Sequence, residues 1–366
     1  MRLIIPTTFE QDFPEALAGY PVEHVYGSLS GEPGARAKKW LPEAGEQQVE
    51  DHIAQCRSRG IGFVYTINAS CSENREFTAE GQRWLAERLG WLAEAGAAGV
   101  VATNPYIIEM VKRRYPALRV NLSSLVKLDS VDQARFYEDL GVDAIYLPEY
   151  VNRNFKLLRA LRKSLSCDLV IILNLGCLVH CPLRDYHANF VSHASASLQR
   201  GCYLDYSLAK CSQIKAASPV EAIKAPWIRP EDLARYEEIG FSHFKLAGRE
   251  KGRQWLLRAV AAYCARRYEG NLNDLVIGLD GVDPFGDLPV YLDNSKLDGF
   301  IDFFKKKDCR LGCDGCAHCE EWLRRAVSLG GEVQQYKDRI GRLLGRFTSG
   351  SFKAPLAGAM PGSRAD

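Results

Sequence analysis

Residues 142–176, VDAIYLPEYVNRNFKLLRALRKSLSCDLVIILNLG, contain a complete strand–helix–strand unit that decides the fold. Residues 142–148 and 168–176 are almost continuous apolar runs, which indicates strands covered on both faces, as in a parallel sheet. Between them, residues 153–165 show the apolar spacing of an amphipathic helix. Parallel neighbours need a crossover connection of this kind, so the unit predicts an α/β fold with parallel strands.

The same alternation extends in both directions from this unit. Further apolar strands are predicted at residues 2–7, 22–29, 61–69, 98–104, 118–124 and 241–248. Helices are predicted at residues 46–59, 78–95, 106–114, 130–140, 229–240 and 253–267. About eight strands, most of them followed by a helix, favour a (β/α)8 barrel of the TIM type, with an open doubly wound sheet as the alternative. No GxGxxG motif follows the first strand, so the dinucleotide-binding version of the open sheet has no support.

The alternation of strands and helices ends near residue 268, which divides the chain into a barrel, residues 1–268, and a cysteine-rich extension, residues 269–346. The stretch after residue 270 is rich in Gly, Pro, Asp and Asn, which indicates loops with short extended pieces. Residues 320–345 predict a basic amphipathic helix, with the glycines at 330–331 as the place where it would break. The final segment, residues 347–366, is expected to be disordered.

Composition excludes several classes of protein. The 366 residues carry 47 basic and 45 acidic side chains, so the net charge of +2 provides no general field for nucleic acid or a membrane surface. No apolar run is long enough for a transmembrane helix, and the start, MRLIIPTTFEQDF, lacks the pattern of a secretory signal. We therefore expect a cytoplasmic protein. Its twelve cysteines are unusual in a reducing compartment and favour metal binding or catalysis over disulfides.

A first group of cysteines follows the predicted strand at 168–176: Cys177, Cys181, Cys202 and Cys211. Buried thiolates need a metal to neutralise their charge, and four thiolates can hold either a [4Fe–4S] cluster or a structural zinc ion. Zinc sites commonly use paired CxxC motifs, which this group lacks, so the spacing favours the cluster. His187 and His193 lie in the same stretch, and either could replace one thiolate or donate a proton near a substrate.

A second group, CRLGCDGCAHC at residues 309–319, contains Cys309, Cys313, Cys316 and Cys319. This dense spacing suits a loop wrapped around a second [4Fe–4S] cluster, while zinc remains an alternative. Gly312 and Gly315 would allow this loop to curl. The first three cysteines match the CxxxCxxC spacing of radical-SAM enzymes, but there the motif follows the first barrel strand, whereas here it follows the last. That match is therefore interpreted as a coincidence of spacing.

Polar side chains lie at the carboxyl ends of the predicted strands, where barrel enzymes carry their active sites. Lys245 stands between two apolar residues of its strand, so it is expected to point into the barrel and to meet Glu149 or a bound anion at the mouth. Gly248 would let Arg249 fold back over the same mouth. The remaining polar strand ends are either part of a polar site or simply strand terminators: Asn68, Asn104, Asn121, Ser123 and Asn174.

Residues 230–270, PEDLARYEEIGFSHFKLAGREKGRQWLLRAVAAYCARRYEG, resemble the hallmark segment of the collagenase-like peptidase family U32. In that family a helix, a strand ending in Lys–(Ile/Leu)–x–Gly–Arg and a second helix with a tyrosine follow one another. The matching residues here are Lys245, Leu246, Gly248, Arg249 and Tyr263. The first cysteine group also sits where the family places its own. Ala247 stands where the family commonly has Glu, and the cysteine-rich extension takes the place of the family's C-terminal β domain.

The resemblance implies a barrel-like fold and, despite the family name, an activity that need not be proteolysis. Relatives of the UbiU and UbiV type carry [4Fe–4S] clusters and support oxygen-independent hydroxylation, and others act in hydroxylating tRNA or ribosomal RNA. By this resemblance the chain would be an iron–sulfur protein of an anaerobic type that modifies a small-molecule or RNA-borne substrate, with an electron donor or partner subunit as a further component. Lys245 and Arg249 would hold an anionic group, and Glu149 or His187 would move protons.

Two alternatives from other functional classes remain. The first is a peptidase of the collagenase-like type, although the sequence contains no HExxH or GxSxG motif. The second is a non-catalytic carrier of iron–sulfur clusters that serves as a partner subunit. Such a carrier would not need polar side chains around the mouth of the barrel.

Overall fold

The computed structural model describes residues 1–196, 205–278, 288–309 and 312–350. Eight parallel strands close into a barrel in chain order. Their bounds are β1 Arg2–Pro6, β2 Val22–Gly27, β3 Gly62–Ile67, β4 Gly99–Ala102, β5 Arg119–Leu122, β6 Ala144–Tyr146, β7 Asp168–Ile172 and β8 His243–Lys245. The barrel closes where β8 pairs with β1. The predicted (β/α)8 barrel is thereby confirmed, and the open sheet is excluded.

Helices form the outer layer of the barrel. Their bounds are α1 Phe13–Ala16, α2 Glu46–Ser58, α3 Ala79–Ala95, α4 Pro105–Arg114, α5 Val131–Asp139, α6 Phe155–Ser164, α7 Arg184–Ala196, α8 Tyr206–Ala217, α9 Val220–Lys224, α10 Leu233–Glu237 and α11 Arg253–Ala265. The connection from β7 to β8 carries α7 to α10, so it is more helical than the sequence pattern indicated. Within the described ranges, no helix combines the length and the apolar character that crossing a membrane requires.

Alternating side chains of the strands build two apolar layers. Outward-facing residues such as Leu3, Val25 and Phe244 pack in the core between the strands and the helices. A separate cluster of inward-facing residues fills the barrel: Ile4, Tyr26, Val64, Val101, Ala144, Tyr146 and Val170. Burying one large apolar side chain stabilises a fold by about 1.5–3 kcal/mol, so both layers help to hold the strand ends in place.

His24 lies inside the barrel, 8% exposed, with its Nε2 at 2.9 Å from the Tyr146 hydroxyl. Burial, with the charge of Lys245 in addition, lowers the pKa of His24 to about 3. We expect the free energy of unfolding to fall as the pH drops below about 6.5, because the unfolded state then binds a proton that folded His24 does not. From pH 7.5 to pH 5.0, His24 should lower the free energy of unfolding by about 2 kcal/mol, which urea unfolding measures. His24→Gln should remove that part of the pH dependence, and an equal loss in both proteins would contradict the assignment.

The extension packs against the barrel. β9 Val290–Leu292 and β10 Val327–Leu329 form an antiparallel pair, a 3₁₀ segment covers Phe300–Lys305, and the helices are α12 His318–Ala326 and α13 Val333–Thr348. The helix predicted over residues 320–345 is interrupted around the predicted glycines: α12 ends at Ala326, β10 pairs with β9, and α13 begins at Val333. α13 continues to Thr348 and packs on α8. Of the segment predicted to be disordered, residues 351–366 lie outside the described residues.

Candidate functional site

The carboxyl ends of the barrel strands open onto a cavity of about 210 Å³, which we call the mouth. Polar and charged side chains make up much of its lining: Tyr26, Arg36, Thr66, Asn68, Lys127, Glu149, Tyr150, Cys177, Cys181, Arg184, His187, Lys245 and Arg249. This is the end of a (β/α)8 barrel at which catalytic residues lie. The four residues predicted to be catalytic, Lys245, Arg249, Glu149 and His187, all line this cavity.

Two cysteines of the first group, Cys177 and Cys181, line the mouth. Burial raises the pKa of Cys177 to about 12 and also raises the pKa of Cys181. Cys211, on α8, is close enough to raise both pKa values further. A thiol with so high a pKa stays protonated at neutral pH unless a metal displaces the proton. Cys202, the fourth predicted ligand, lies outside the described residues.

In residues 1–196, 205–278, 288–309 and 312–350, no three Cys, His, Asp or Glu side chains lie close enough together to hold a single metal ion. A [4Fe–4S] cluster is larger than one ion and takes thiolates roughly 6–7 Å apart.

Positively charged side chains surround Cys177. Lys215 and Arg184 both act to lower the pKa of its thiol, against the larger effect of burial. Arg36 pairs with Glu250, with 3.2 Å between Nε and Oε2, and Cys177 contributes with Glu250 to the raised pKa of Arg36. These charges would stabilise a thiolate or an anionic metal–thiolate centre at this position.

Arg184 fastens the cysteine-bearing loop to the end of β6. Its guanidinium pairs with Glu149, and its Nη2 donates hydrogen bonds to the carbonyls of Leu178 and Val179, both at 2.9 Å. The predicted pairing of Glu149 with Lys245 is therefore wrong, because Arg184 at the start of α7 already occupies this carboxylate. The same contacts fix the loop that carries the first two cysteines.

Lys245 points into the barrel, as predicted, and lines the mouth. Its Nζ lies 3.7 Å from the ring centre of Tyr26 and 4.3 Å from that of Tyr146. Burial, with the charges of Arg249 and Arg36 in addition, holds the pKa of Lys245 well below its usual range, and no described carboxylate opposes this shift. An anion that enters the mouth would therefore gain more from this side chain than from a lysine already paired.

Arg249 is 8% exposed and also lines the mouth. Its Nη1 donates a hydrogen bond of 3.0 Å to the Thr66 hydroxyl, which reaches from the end of β8 to β3. The preceding Gly248 has a φ of 133°, and a Cβ there would lie 2.9 Å from the ring of Trp255. Glycine is therefore required for the turn that carries Arg249 over the mouth, as the sequence predicted.

Several strand-end amides hold the backbone together instead of forming the site. The Asn104 side chain accepts a hydrogen bond of 2.9 Å from the Tyr106 amide and so caps α4, and Asn121 donates to the Val100 carbonyl at 3.1 Å. Asn68 differs, because it lines the mouth and its buried Oδ1 has no hydrogen-bond partner within the described part of the chain. We therefore retain Asn68 as a candidate for contact with a substrate.

Asn174, wholly buried at the end of β7, is another structural amide. Its Nδ2 donates to the carbonyls of Ala247 and Leu275 at 3.1 and 3.2 Å, and its Oδ1 accepts from the Ala247 amide at 2.8 Å. Asn174→Ala would leave these backbone groups unpaired, so it is expected to lower the free energy of unfolding by about 2–4 kcal/mol. Urea unfolding measures the loss, and a change below about 0.5 kcal/mol would show that these bonds are unimportant.

The two histidines considered as ligands or proton donors have carboxylate partners. His187, on α7, lies 2.7 Å from Asp205 between Nε2 and Oδ2, and Asp205 also caps α8 through the Leu208 amide. His193 lies 3.5 Å from Glu73. Only His187 of this pair lines the mouth.

The second cysteine group forms two successive turns. The Gly312 amide bonds to the Cys309 carbonyl at 3.2 Å, and the Cys316 amide bonds to the Cys313 carbonyl at 3.0 Å. Gly312 and Gly315 have φ values of 96° and 68°, so both supply the curl that the sequence predicted. Cys319 follows in the first turn of α12, where burial raises its pKa to about 11.

Sequence reasoning missed two charged residues of these surroundings. Arg36 follows β2 and Arg153 follows β6, so both belong to connections at the carboxyl ends of strands. A search of those connections for charged residues, and not only of the strand ends, would have found them. Arg184, at the start of α7, pairs with Glu149, which lies 35 residues earlier in the chain.

The chain is similar in sequence to a known protein family and to several known proteins. The sequence profile described as "Peptidase family U32" matches residues 15–269, more than half of the chain. A protein of Methanocaldococcus jannaschii named "Uncharacterized protease MJ1657" is 32% identical over 283 residues, which cover 77% of this chain and 82% of that protein. The "tRNA hydroxylation protein P1" of Bacillus subtilis is 24% identical over 219 residues, covering 56% of this chain and 51% of that protein.

A solved structure agrees with the sequence matches. "The Structure of the U32 Peptidase Mk0906" superposes with a TM-score of 0.52 and 21% identity, and the alignment covers 68% of this chain and 92% of that one. At this identity the likeness speaks for the fold alone. The profile match and the archaeal relative go further, and together they show that the chain belongs to peptidase family U32.

Proposed function

We propose that the mouth holds a [4Fe–4S] cluster and that the protein uses it to hydroxylate a small-molecule or RNA-borne substrate without molecular oxygen. The observation that carries this proposal is that Cys177 and Cys181 line the catalytic end of the barrel, with Cys211 near enough to raise the pKa of both. Family membership supports it, as does the Bacillus subtilis relative, whose name states tRNA hydroxylation. Cys202 completes the ligand set in this proposal.

The chemistry of these side chains suits a cluster. The raised pKa values of Cys177 and Cys181 mean that iron must displace their thiol protons, as it does when a cluster forms. A cluster held by four thiolates carries net negative charge, which an apolar barrel would not tolerate alone. Lys215, Arg184 and Arg36 place compensating positive charge around Cys177.

Hydroxylation with water as the oxygen source removes two electrons and two protons from the substrate, and the cluster would accept those electrons one at a time for an external acceptor. The chain's own residues bind and orient that substrate. Lys245 and Arg249 offer positive donors to a phosphate or carboxylate, and the unpartnered Oδ1 of Asn68 offers an acceptor. A cavity of about 210 Å³ admits a single nucleobase or a small organic acid, which suits the extrusion of a base from RNA.

Protons would be held at two positions of the mouth. Glu149 and His187 both face the cavity, and each is oriented by a partner, Arg184 in one case and Asp205 in the other. A carboxylate or imidazole held in this way can accept a proton from a substrate hydroxyl or return one to it. Both residues therefore keep their place as acid–base candidates.

The test is anaerobic expression followed by analysis of metal and RNA. Purified protein should be brown and contain iron with an equal amount of acid-labile sulfide. Digested RNA from the expressing cells, compared by mass spectrometry with RNA from cells carrying Cys177→Ser/Cys181→Ser, should contain a nucleoside heavier by one oxygen atom. Absence of iron would overturn the cluster. A bound cluster with no new nucleoside would redirect the substrate from RNA to a small molecule.

A peptidase is the competing function, because the Methanocaldococcus jannaschii relative is named as a protease. Such an enzyme would cleave denatured collagen or casein without iron. We expect no cleavage by the wild-type protein. Cleavage that persists after removal of iron and is unaffected by the cysteine substitutions would favour the peptidase.

A further inference from the structure

The second cysteine group lies directly beside the mouth. A cavity of about 60 Å³ is lined by Cys309, Cys313 and Cys319, and on its other side by Val179 and His180. These last two residues belong to the loop that joins Cys177 to Cys181. One short loop therefore carries cysteines of the mouth and at the same time forms a wall of the second cavity.

A buried arginine points to the charge that this second cavity accepts. Arg153 also lines the cavity and is 8% exposed. Its Nη1 donates to the carbonyls of Ile223 and Lys224 at 2.8 and 3.0 Å, whereas its Nε and Nη2 have no hydrogen-bond partner among the described residues. A guanidinium is always charged, so N–H groups buried in this state indicate an anionic ligand.

Cys319 and Cys309 lie near Arg153, and so does Asp232. Burial lowers the pKa of Arg153, whereas these three groups act in the opposite direction. The aromatic rings around it, Trp227 at 4.7 Å and Phe300 at 4.7 Å, hold the guanidinium plane in place. N–H groups fixed in this way can donate to thiolate or sulfide sulfur.

Contacts with the 3₁₀ segment Phe300–Lys305 hold the Cys319 end of the second cysteine group in place. His318, next to Cys319, stacks on Phe303 with 3.9 Å between ring centres, and its Nε2 lies 3.3 Å from the Phe300 carbonyl. Lys224 adds a second positive charge to the lining of the cavity. The Cys319 end of the group is therefore held at a cavity that Arg153 and Lys224 also line.

From these observations we infer that Cys309, Cys313, Cys316 and Cys319 hold a second [4Fe–4S] cluster, to which Arg153 donates hydrogen bonds through Nε and Nη2. This cluster is the electron-exit centre of the protein. Hydroxylation with water as the oxygen source leaves electrons at the mouth; they pass one at a time across Val179 and His180 to the second cluster, which a one-electron acceptor of higher potential then reoxidises. Zinc would satisfy the same charges but cannot transfer electrons. The electron-exit role rests on the proposed function, whereas the cluster and the role of Arg153 do not.

The first experiment counts metal in the full chain after anaerobic purification. Wild type should contain about eight iron and eight sulfide per chain, and Cys313→Ser/Cys316→Ser about four of each. Unchanged iron in that variant, or one zinc per chain that it removes, would overturn the second cluster. If only the mouth proposal fails, the wild type should still hold about four iron atoms, all lost in Cys313→Ser/Cys316→Ser.

The second experiment tests Arg153 and the closeness of the two centres by redox titration and electron paramagnetic resonance with dithionite. Arg153→Gln should keep its iron and shift the midpoint potential of one cluster to more negative values, because a positive charge that favours the reduced state is lost. Arg162→Gln is the matched control, since Arg162 also donates to two carbonyls, those of Cys167 and Leu165. No shift in Arg153→Gln would overturn its role.

The same spectra report on electron transfer. Fully reduced wild type should show a broadened signal from two neighbouring paramagnetic clusters. The signal should sharpen when either pair of cysteines is replaced. Identical line shapes in all these proteins would overturn the electron-exit role.

Discussion

Cys177→Ser is expected to remove about four iron atoms per chain and to abolish hydroxylation, the largest effect of any single substitution in this protein. A serine hydroxyl does not ionise to replace a thiolate at neutral pH. The fold should survive, because serine is close in size to cysteine and the loop is also held by Arg184. Iron, sulfide and visible absorbance under anaerobic conditions measure the change.

Cys167→Ser is the matched control. Cys167 is also partly buried with a raised pKa, but it precedes β7 and so lies at the opposite end of the barrel. It should keep full iron and activity. Equal iron in Cys177→Ser and wild type would show that Cys177 is not a ligand.

Lys245→Met should have opposite effects on activity and on stability. Activity should fall by about 100-fold or more, because an anion in the mouth loses a desolvated positive partner. The free energy of unfolding should rise by about 1–3 kcal/mol, because methionine removes an amine that burial destabilises in its charged form. Iron content should not change. A lysine with a purely structural role would give a less stable variant instead.

The gain in stability should also depend on pH. The pKa of Lys245 is lower in the folded state than in the unfolded state, so wild type gains stability as the pH rises towards the ordinary lysine value. The difference between Lys245→Met and wild type should therefore shrink from pH 7 to pH 9.5 in urea unfolding. Lys112→Met, which removes a lysine paired with Asp143 at 3.1 Å, should show no such trend. A stability difference that does not change with pH would show that the pKa of Lys245 is not lowered by folding.

The barrel could be predicted from the sequence because its signal is local. Each strand is a short apolar run followed by a helix, and each can be recognised without knowing its neighbours. The orientation of Lys245 followed from strand alternation, and the turn at Gly248 followed from its residue type. These inferences need only the two-residue period of a strand and the type of the residue at the turn.

The partners of the charged residues could not be predicted, because they depend on contacts between distant segments. Glu149 could pair with any cation that reaches the mouth, and only the structure shows that Arg184 does so before Lys245. The end of the first helix of the extension depends likewise on pairing between Val290–Leu292 and Val327–Leu329. The placement of the second cysteine group beside Val179 and His180 was equally invisible, since nothing in its spacing indicates a neighbour.

The packing of α13 on α8 bears on how this protein could have evolved. α8 carries Cys211, and its covering helix contributes Phe347, whose ring lies 5.9 Å from that of Tyr206. The extension is thus not an independent module that could be gained or lost without consequence, because its last helix shields the segment that bears one cysteine of the barrel. Residues on the facing sides of these two helices should therefore change in a correlated way among related sequences. A lineage that lost the extension would need a different cover for α8 to keep Cys211 in place.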